Sequence, residues 1–168
     1  RTLSASRPRP GGSPRASPFP VARPRDPAAL ITPARDGTRR ALAAAADAGI
    51  QRVVLTSSCA AAWGVVRGTR AVTEADWTDP ENRRTTPYEA SKTLAERVAW
   101  QVAAERGLAL TAINPGWVLG PPLDAHYGSS VALIRRLLAG KDPALPRLGL
   151  PFVDVRNVAA MHLAALDR

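Results

Sequence analysis

Cysteine is almost missing from this 168-residue chain. Cys59 alone cannot close an internal disulfide, and no histidine-rich segment stands near it, so a disulfide scaffold and a zinc site are both excluded. No metal is expected, and a reducing, cytoplasmic setting fits. Long apolar runs are lacking too. Residues 41–55 are interrupted by Asp47, Gly49, Gln51 and Arg52, well short of the roughly eighteen apolar residues that a membrane span needs. No membrane association is expected. His126 and His162 are the only histidines and no Gly-x-Ser-x-Gly elbow occurs, which argues against a serine-hydrolase triad. Trp63, Trp77, Trp100 and Trp117 are dispersed and not interleaved with basic residues, so they read as packing groups, not as stacking platforms for bases.

Acidic residues are scarce at one end only. The net charge is +9, but residues 1–40 hold nine arginines against Asp26 and Asp36. The rest of the chain is close to neutral, so no nucleic-acid-binding face is expected. Prolines at 8, 10, 14, 18, 20, 24 and 27 prevent residues 1–27 from propagating a helix or a central strand. That arm is expected to be disordered. Its prolines also forbid the amphipathic helix of a transit peptide, so a truncated or mis-translated start is the expectation.

Regular structure is predicted from residue 28. Helix formers fill residues 28–48, with Gly49 placed to end them. The apolar run 50–56 reads as a strand buried on both faces, and a polar loop follows to about residue 85. Thr86-Pro87-Tyr88-Glu89 has the form of a capping box with proline at the first helical position, and Leu94, Val98 and Val102 supply a buried stripe up to Arg106. Gly107 closes that helix. Residues 108–114 form a second apolar strand, stopped by Pro115 and Gly116. Strand, helix and strand in this order predict a parallel α/β crossover unit, with ligands beyond the carboxyl ends of the strands. After Gly116 come a loop, a helix over 129–139, a short strand over 150–153 and a helix over 155–166 capped by Asp154.

This order gathers reactive groups at one edge. Ser57 and Ser58 stand where the first strand runs out, Asn114 and Pro115 where the second does, and Tyr88 opens the helix between them. Tyr88 and Lys92 are four apart and emerge on one helix face. A phenol is a poor proton donor near neutral pH. A unit charge about 4 Å away, at an effective dielectric of about 20, contributes on the order of 4 kcal/mol toward activating it. A serine hydroxyl beside the phenol can hold a substrate oxygen, an arrangement suited to proton transfer to a carbonyl. Any one of these features alone is ordinary turn or surface chemistry; their order along the chain is what joins them.

Four segments carry a family resemblance: Arg52-Val-Val-Leu-Thr-Ser-Ser58, Tyr88-Glu-Ala-Ser-Lys92-Thr-Leu-Ala-Glu96, Asn114-Pro-Gly-Trp-Val-Leu-Gly-Pro-Pro122 and Pro151-Phe-Val-Asp-Val-Arg-Asn-Val-Ala159. From about Ala16 to Arg168 the chain resembles the extended short-chain dehydrogenase/reductases of the NAD-dependent epimerase/dehydratase superfamily, and within them the dihydroflavonol-reductase-like branch. Glu74-Ala-Asp-Trp77 is also similar to that branch. The resemblance implies a partial Rossmann-type dinucleotide-binding domain over 28–122 and the start of a substrate-binding region over 123–168. It implies NAD or NADP as cofactor, a small-molecule carbonyl or alcohol as substrate, and a possible homo-oligomer. Ser58 would orient the substrate oxygen and Tyr88 would exchange the proton. Lys92 would hold the ribose hydroxyls and lower the Tyr88 pKa. Ser57 would lie at the nicotinamide edge, and the backbone of Pro115 and Val118 along the carboxamide. Loops at 59–64, 83–87 and 117–127 would shape the substrate pocket.

The departures are equally specific. No glycine-rich strand-turn-helix is present to hold a pyrophosphate, and Arg40 stands where many relatives carry an asparagine of the catalytic relay. Relative to the family pattern the chain is expected to be incomplete at both ends, and to bind NAD or NADP weakly by itself. An NAD(P)-dependent reductase is the leading reading. A sugar-nucleotide epimerase or dehydratase using the same Tyr and Lys, and an inactive fragment, stand beside it.

Overall fold

The computed structural model describes residues 24, 26–64, 70–122, 128–140 and 149–167. The arm 1–27 thus lies almost wholly outside the described residues, as do 123–127 of the third pocket loop. What is described is α/β and divides into two compact units, one up to Asn114 and the other from Pro115 onward. Among the described residues no helix is long and apolar enough to cross a membrane.

In the first unit, α1 (Ala28–Asp47) starts at Pro27 and keeps Pro33 in its second turn. It buries Leu30, Ala34 and Leu42 on one face. β1 (Arg52–Thr56) and β2 (Ala109–Ile113) pair in parallel, Arg52 against Ala109 and Thr56 against Ile113. Between them runs α2 (Pro87–Arg106), and its ends follow from local chemistry. The Thr86 side chain accepts from the Glu89 N–H, the Glu89 carboxylate accepts from the Thr86 N–H, and Gly107 takes the left-handed φ of 66°. α1 packs on α2, and Leu42, Val98, Ala99 and Val102 make the core, with Leu55, Leu108 and Leu110 packed against it.

Two readings need correction. β1 is not buried on both faces: Val53, Val54 and Leu55 are half-buried and Arg52 and Thr56 exposed. Among the described residues it has one neighbouring strand, and the core cluster covers only the face that bears Leu55. On α2, Leu94 is only half-buried, while Ala90, Ser91, Thr93 and Ala99 are buried. Small side chains let neighbouring backbone come close, which an apolar stripe alone does not reveal.

In the second unit, Trp117–Leu119 was read as loop but forms a strand, β3, parallel to β4 (Phe152–Asp154). Its isolated three residues carry no alternation that could announce it; pairing with β4 makes it a strand. α3 spans Ser129–Leu138. The Asp154 carboxylate caps α4 (Val155–Leu166), accepting from the Arg156 N–H at 2.8 Å.

Candidate active site

The parallel register brings both strand ends out together. The Ser57 N–H donates to the Ile113 carbonyl at 2.8 Å, one step beyond the Thr56–Ile113 pair. Asn114 then turns its amide back, donating to the Ser58 carbonyl at 3.2 Å. Ser58 is extended and caps the 3-10 turn Cys59–Ala61, accepting from the Ala60 N–H at 3.2 Å. Ser57 and Ser58 are both buried.

Tyr88 is the second residue of α2, held at the strand ends by the Thr86–Glu89 cap. The Ser58 hydroxyl is near enough to its phenol to act on the phenol's titration. One turn on, the Lys92 ammonium stands 5.8 Å from the centroid of the Tyr88 ring. A further turn on is Glu96, only 6% exposed. Its Oε2 accepts from the Ser57 hydroxyl at 2.5 Å and the Asn114 amide at 2.7 Å, and its Oε1 accepts from the Trp100 indole at 3.3 Å. The described structure therefore brings Ser57, Ser58, Tyr88 and Lys92 together and adds Glu96 and Asn114. Pro115 and Val118 belong to the second unit, with Val118 in β3 opposite Val153.

The electrostatics depart from the sequence reading. Burial raises the Tyr88 phenol above its ordinary value of 10.0; the Ser58 hydrogen bond opposes that rise and the nearby Cys59 thiol adds to it. The net shift is thus upward, where the sequence reading expected Lys92 to bring the phenol down. The ammonium is over the ring face, where it meets the quadrupole of the ring. Burial in turn lowers Lys92 below its ordinary 10.5, opposed by the charge of Glu96. Burial likewise raises the Cys59 thiol.

Sequence reasoning assigned no role to Glu96. It lies four residues after Lys92, a spacing that on an exposed helix is an ordinary surface ion pair. Only its burial distinguishes it.

The chain has known relatives. Cinnamoyl-CoA reductase 1 of Arabidopsis thaliana is 37% identical over 146 residues, which cover 84% of this chain and 42% of that protein. A putative dihydroflavonol 4-reductase of Synechocystis is 39% identical over 132 residues, covering 79% of this chain and 37% of that protein. The chain spans less than half the length of these curated relatives. Among solved structures, yeast methylglyoxal/isovaleraldehyde reductase complexed with NADPH superposes with a TM-score of 0.78 at 30% identity, covering 90% of this chain and 51% of that one. The sequence pattern of one family matches residues 16–168, nearly the whole chain. With the parallel strand ends, the Tyr88–Lys92 helix and these relatives in agreement, the chain belongs to the NAD dependent epimerase/dehydratase family.

Proposed function

We propose that this chain carries the reaction centre of an NAD(P)-dependent reductase that converts the carbonyl of a small molecule, an aldehyde or ketone, into an alcohol. The observation that carries the reading is that Ser58, Tyr88 and Lys92 gather at the paired strand ends, with the Lys92 ammonium over the Tyr88 ring and the Ser58 hydroxyl acting on the same phenol. Two neighbouring hydroxyls can both turn toward a third oxygen, that of the substrate. The reductase relatives favour this reading over the epimerase one.

The residues fit a nicotinamide riboside. Lys92 donates to no group among the described residues, so its N–H groups can meet the vicinal hydroxyls of a ribose. Ser57 is proposed to border the nicotinamide. Bound and reduced, the nicotinamide supplies a hydride to the carbonyl carbon. Tyr88 Oη donates its proton to the substrate oxygen as charge develops there. Ser58 holds that oxygen in line with the phenol and then donates to the phenolate left behind. Lys92 provides the nearby positive charge that tolerates the phenolate. A phenol held protonated by burial suits this direction, because its proton is in place and the acceptor, a developing alkoxide, is the stronger base.

Replacing Tyr88 tests the reading. Tyr88→Phe leaves the ring packing and Lys92 in place, so turnover with saturating NADPH or NADH and an aldehyde and ketone panel should fall about 10²- to 10⁴-fold, with nucleotide affinity nearly kept. Equal turnover in Tyr88→Phe and the parent would overturn it.

A further inference from the structure

Glu96 is a buried polar group with three side-chain partners, and the chemistry described so far does not use it. Its three donors come from three places: Ser57 just after β1, Asn114 just after β2, and Trp100 one turn further along α2. All its partners are donors, which matches a carboxylate, a group with lone pairs only. A buried carboxylate is no bargain in stability, since apolar packing of similar volume often does as well or better. Its position therefore calls for a reason other than packing.

That reason lies in what its partners hold. Ser57 is bonded to Glu96 and is covalently next to Ser58; Asn114 is bonded to Glu96 and, through the same amide nitrogen, to the Ser58 carbonyl. Ser58 is thus held from both sides, and its hydroxyl is the group that opposes the upward shift of the Tyr88 phenol. On α2 itself, Tyr88, Lys92 and Glu96 follow at intervals of four, along one face. We propose that Glu96 is the positioning residue of this centre, clamping Ser58 against Tyr88 through Ser57 and Asn114 and serving Lys92 as its counter-charge. The proposal rests on the reading of Ser58, Tyr88 and Lys92 as the reaction centre.

The second half of that role has electrostatic support. Burial pulls Lys92 toward the neutral amine and Glu96 is the charge that opposes it. The other ionisable groups at hand are Tyr88, under the ammonium, and Cys59 on the 3-10 turn beside Tyr88. β2 has no ionisable side chain between Ala109 and Ile113, and the charged residues of α1 (Arg35, Asp36, Arg39, Arg40 and Asp47) do not enter the balance at Lys92.

The test uses the whole chain without nucleotide or substrate. Its lysines are Lys92 and Lys141, and its tyrosines Tyr88 and Tyr127, so selective isotope labelling of either type leaves two sets of signals, assigned with Lys92→Arg and Tyr88→Phe. In Glu96→Gln the Lys92 titration should move to lower pH while Lys141 stays, and the Tyr88 ring resonances should shift. Glu96→Asp, which restores the charge on a shorter stem, should return the Lys92 titration toward that of the parent. An unmoved Lys92 titration in folded Glu96→Gln overturns the proposal. Should Glu96→Gln give no cooperative melt, Ser57→Ala and Asn114→Ala decide: both keep the carboxylate and loosen Ser58, so shifted Tyr88 resonances support the clamp and unshifted ones overturn it. A chain without reductase turnover would defeat the proposed function, and these signals would still report on Glu96 separately.

Discussion

The Lys92 ammonium stands over the face of the Tyr88 ring, 5.8 Å from its centroid, and the influence opposing the rise of the Tyr88 phenol is the Ser58 hydroxyl. Helical spacing of four sets a lysine near a tyrosine, but which part of the ring it meets depends on how both side chains are buried. Three groups thus divide what sequence spacing had given to two.

Alkaline stability should report both burials, with opposite signs. Lys92 has a folded value below its ordinary 10.5, so in the window between them the unfolded chain binds more protons and stability rises with pH. Tyr88 has a folded value above 10.0, so in its window the folded chain binds more protons and stability falls as pH rises. Urea midpoints between about pH 8 and 11 should lose the rise in Lys92→Met and the fall in Tyr88→Phe. Profiles identical to the parent in both variants would contradict the burial of the pair.

Lys92→Met should impair two things at once. If Lys92 holds the nicotinamide ribose and steadies the phenolate, the variant loses both nucleotide affinity and turnover, each by about tenfold or more. Titration of nucleotide fluorescence alongside steady-state rates separates the effects, and an unchanged dissociation constant would remove the ribose role.

Gly64→Ala should disturb the loop after Ser58. A β-carbon at Gly64 would lie 2.6 Å from Thr78 Oγ1. That oxygen accepts from the Gly64 N–H at 2.7 Å and donates to the Ala60 carbonyl at 2.7 Å, and Thr78 is fully buried. Neither group can yield without breaking a bond, so the variant should lose roughly 1–3 kcal/mol. Thr78→Val, which leaves both backbone partners unpaired, should lose a comparable amount. Chemical denaturation measures both, and a neutral Gly64→Ala would show that the loop relaxes freely.

Nucleotide affinity of residues 1–168 should be weak. Most of the charge of NAD or NADP is on its phosphates, and the sequence has no Gly-x-Gly-x-x-Gly pattern to receive a pyrophosphate. Only the contacts proposed for the ribose and nicotinamide remain. Calorimetric titration with both nucleotides should give binding well weaker than low micromolar; a low-micromolar constant would reveal a phosphate site elsewhere in the chain.

Local chemistry made much of this protein legible. Thr86, Pro87 and Glu89 begin α2 and Gly107 ends it, because caps and left-handed glycine satisfy backbone groups within a few residues of each other. The strand-helix-strand order and the edge where Ser57, Ser58, Tyr88 and Asn114 meet follow from the same short-range signals and from parallel pairing. β3 was hidden, since three residues become a strand only when β4 lies beside them. Glu96 was hidden for a related reason. Its spacing from Lys92 is that of a solvated surface pair, and its isolation from water depends on Ser57 and Asn114, 39 and 18 residues away along the chain. Sequence by itself determined which groups come to the strand ends. Tertiary structure decided which of them are dry, and therefore which proton each one keeps, because burial acts on a charge through all its neighbours at once.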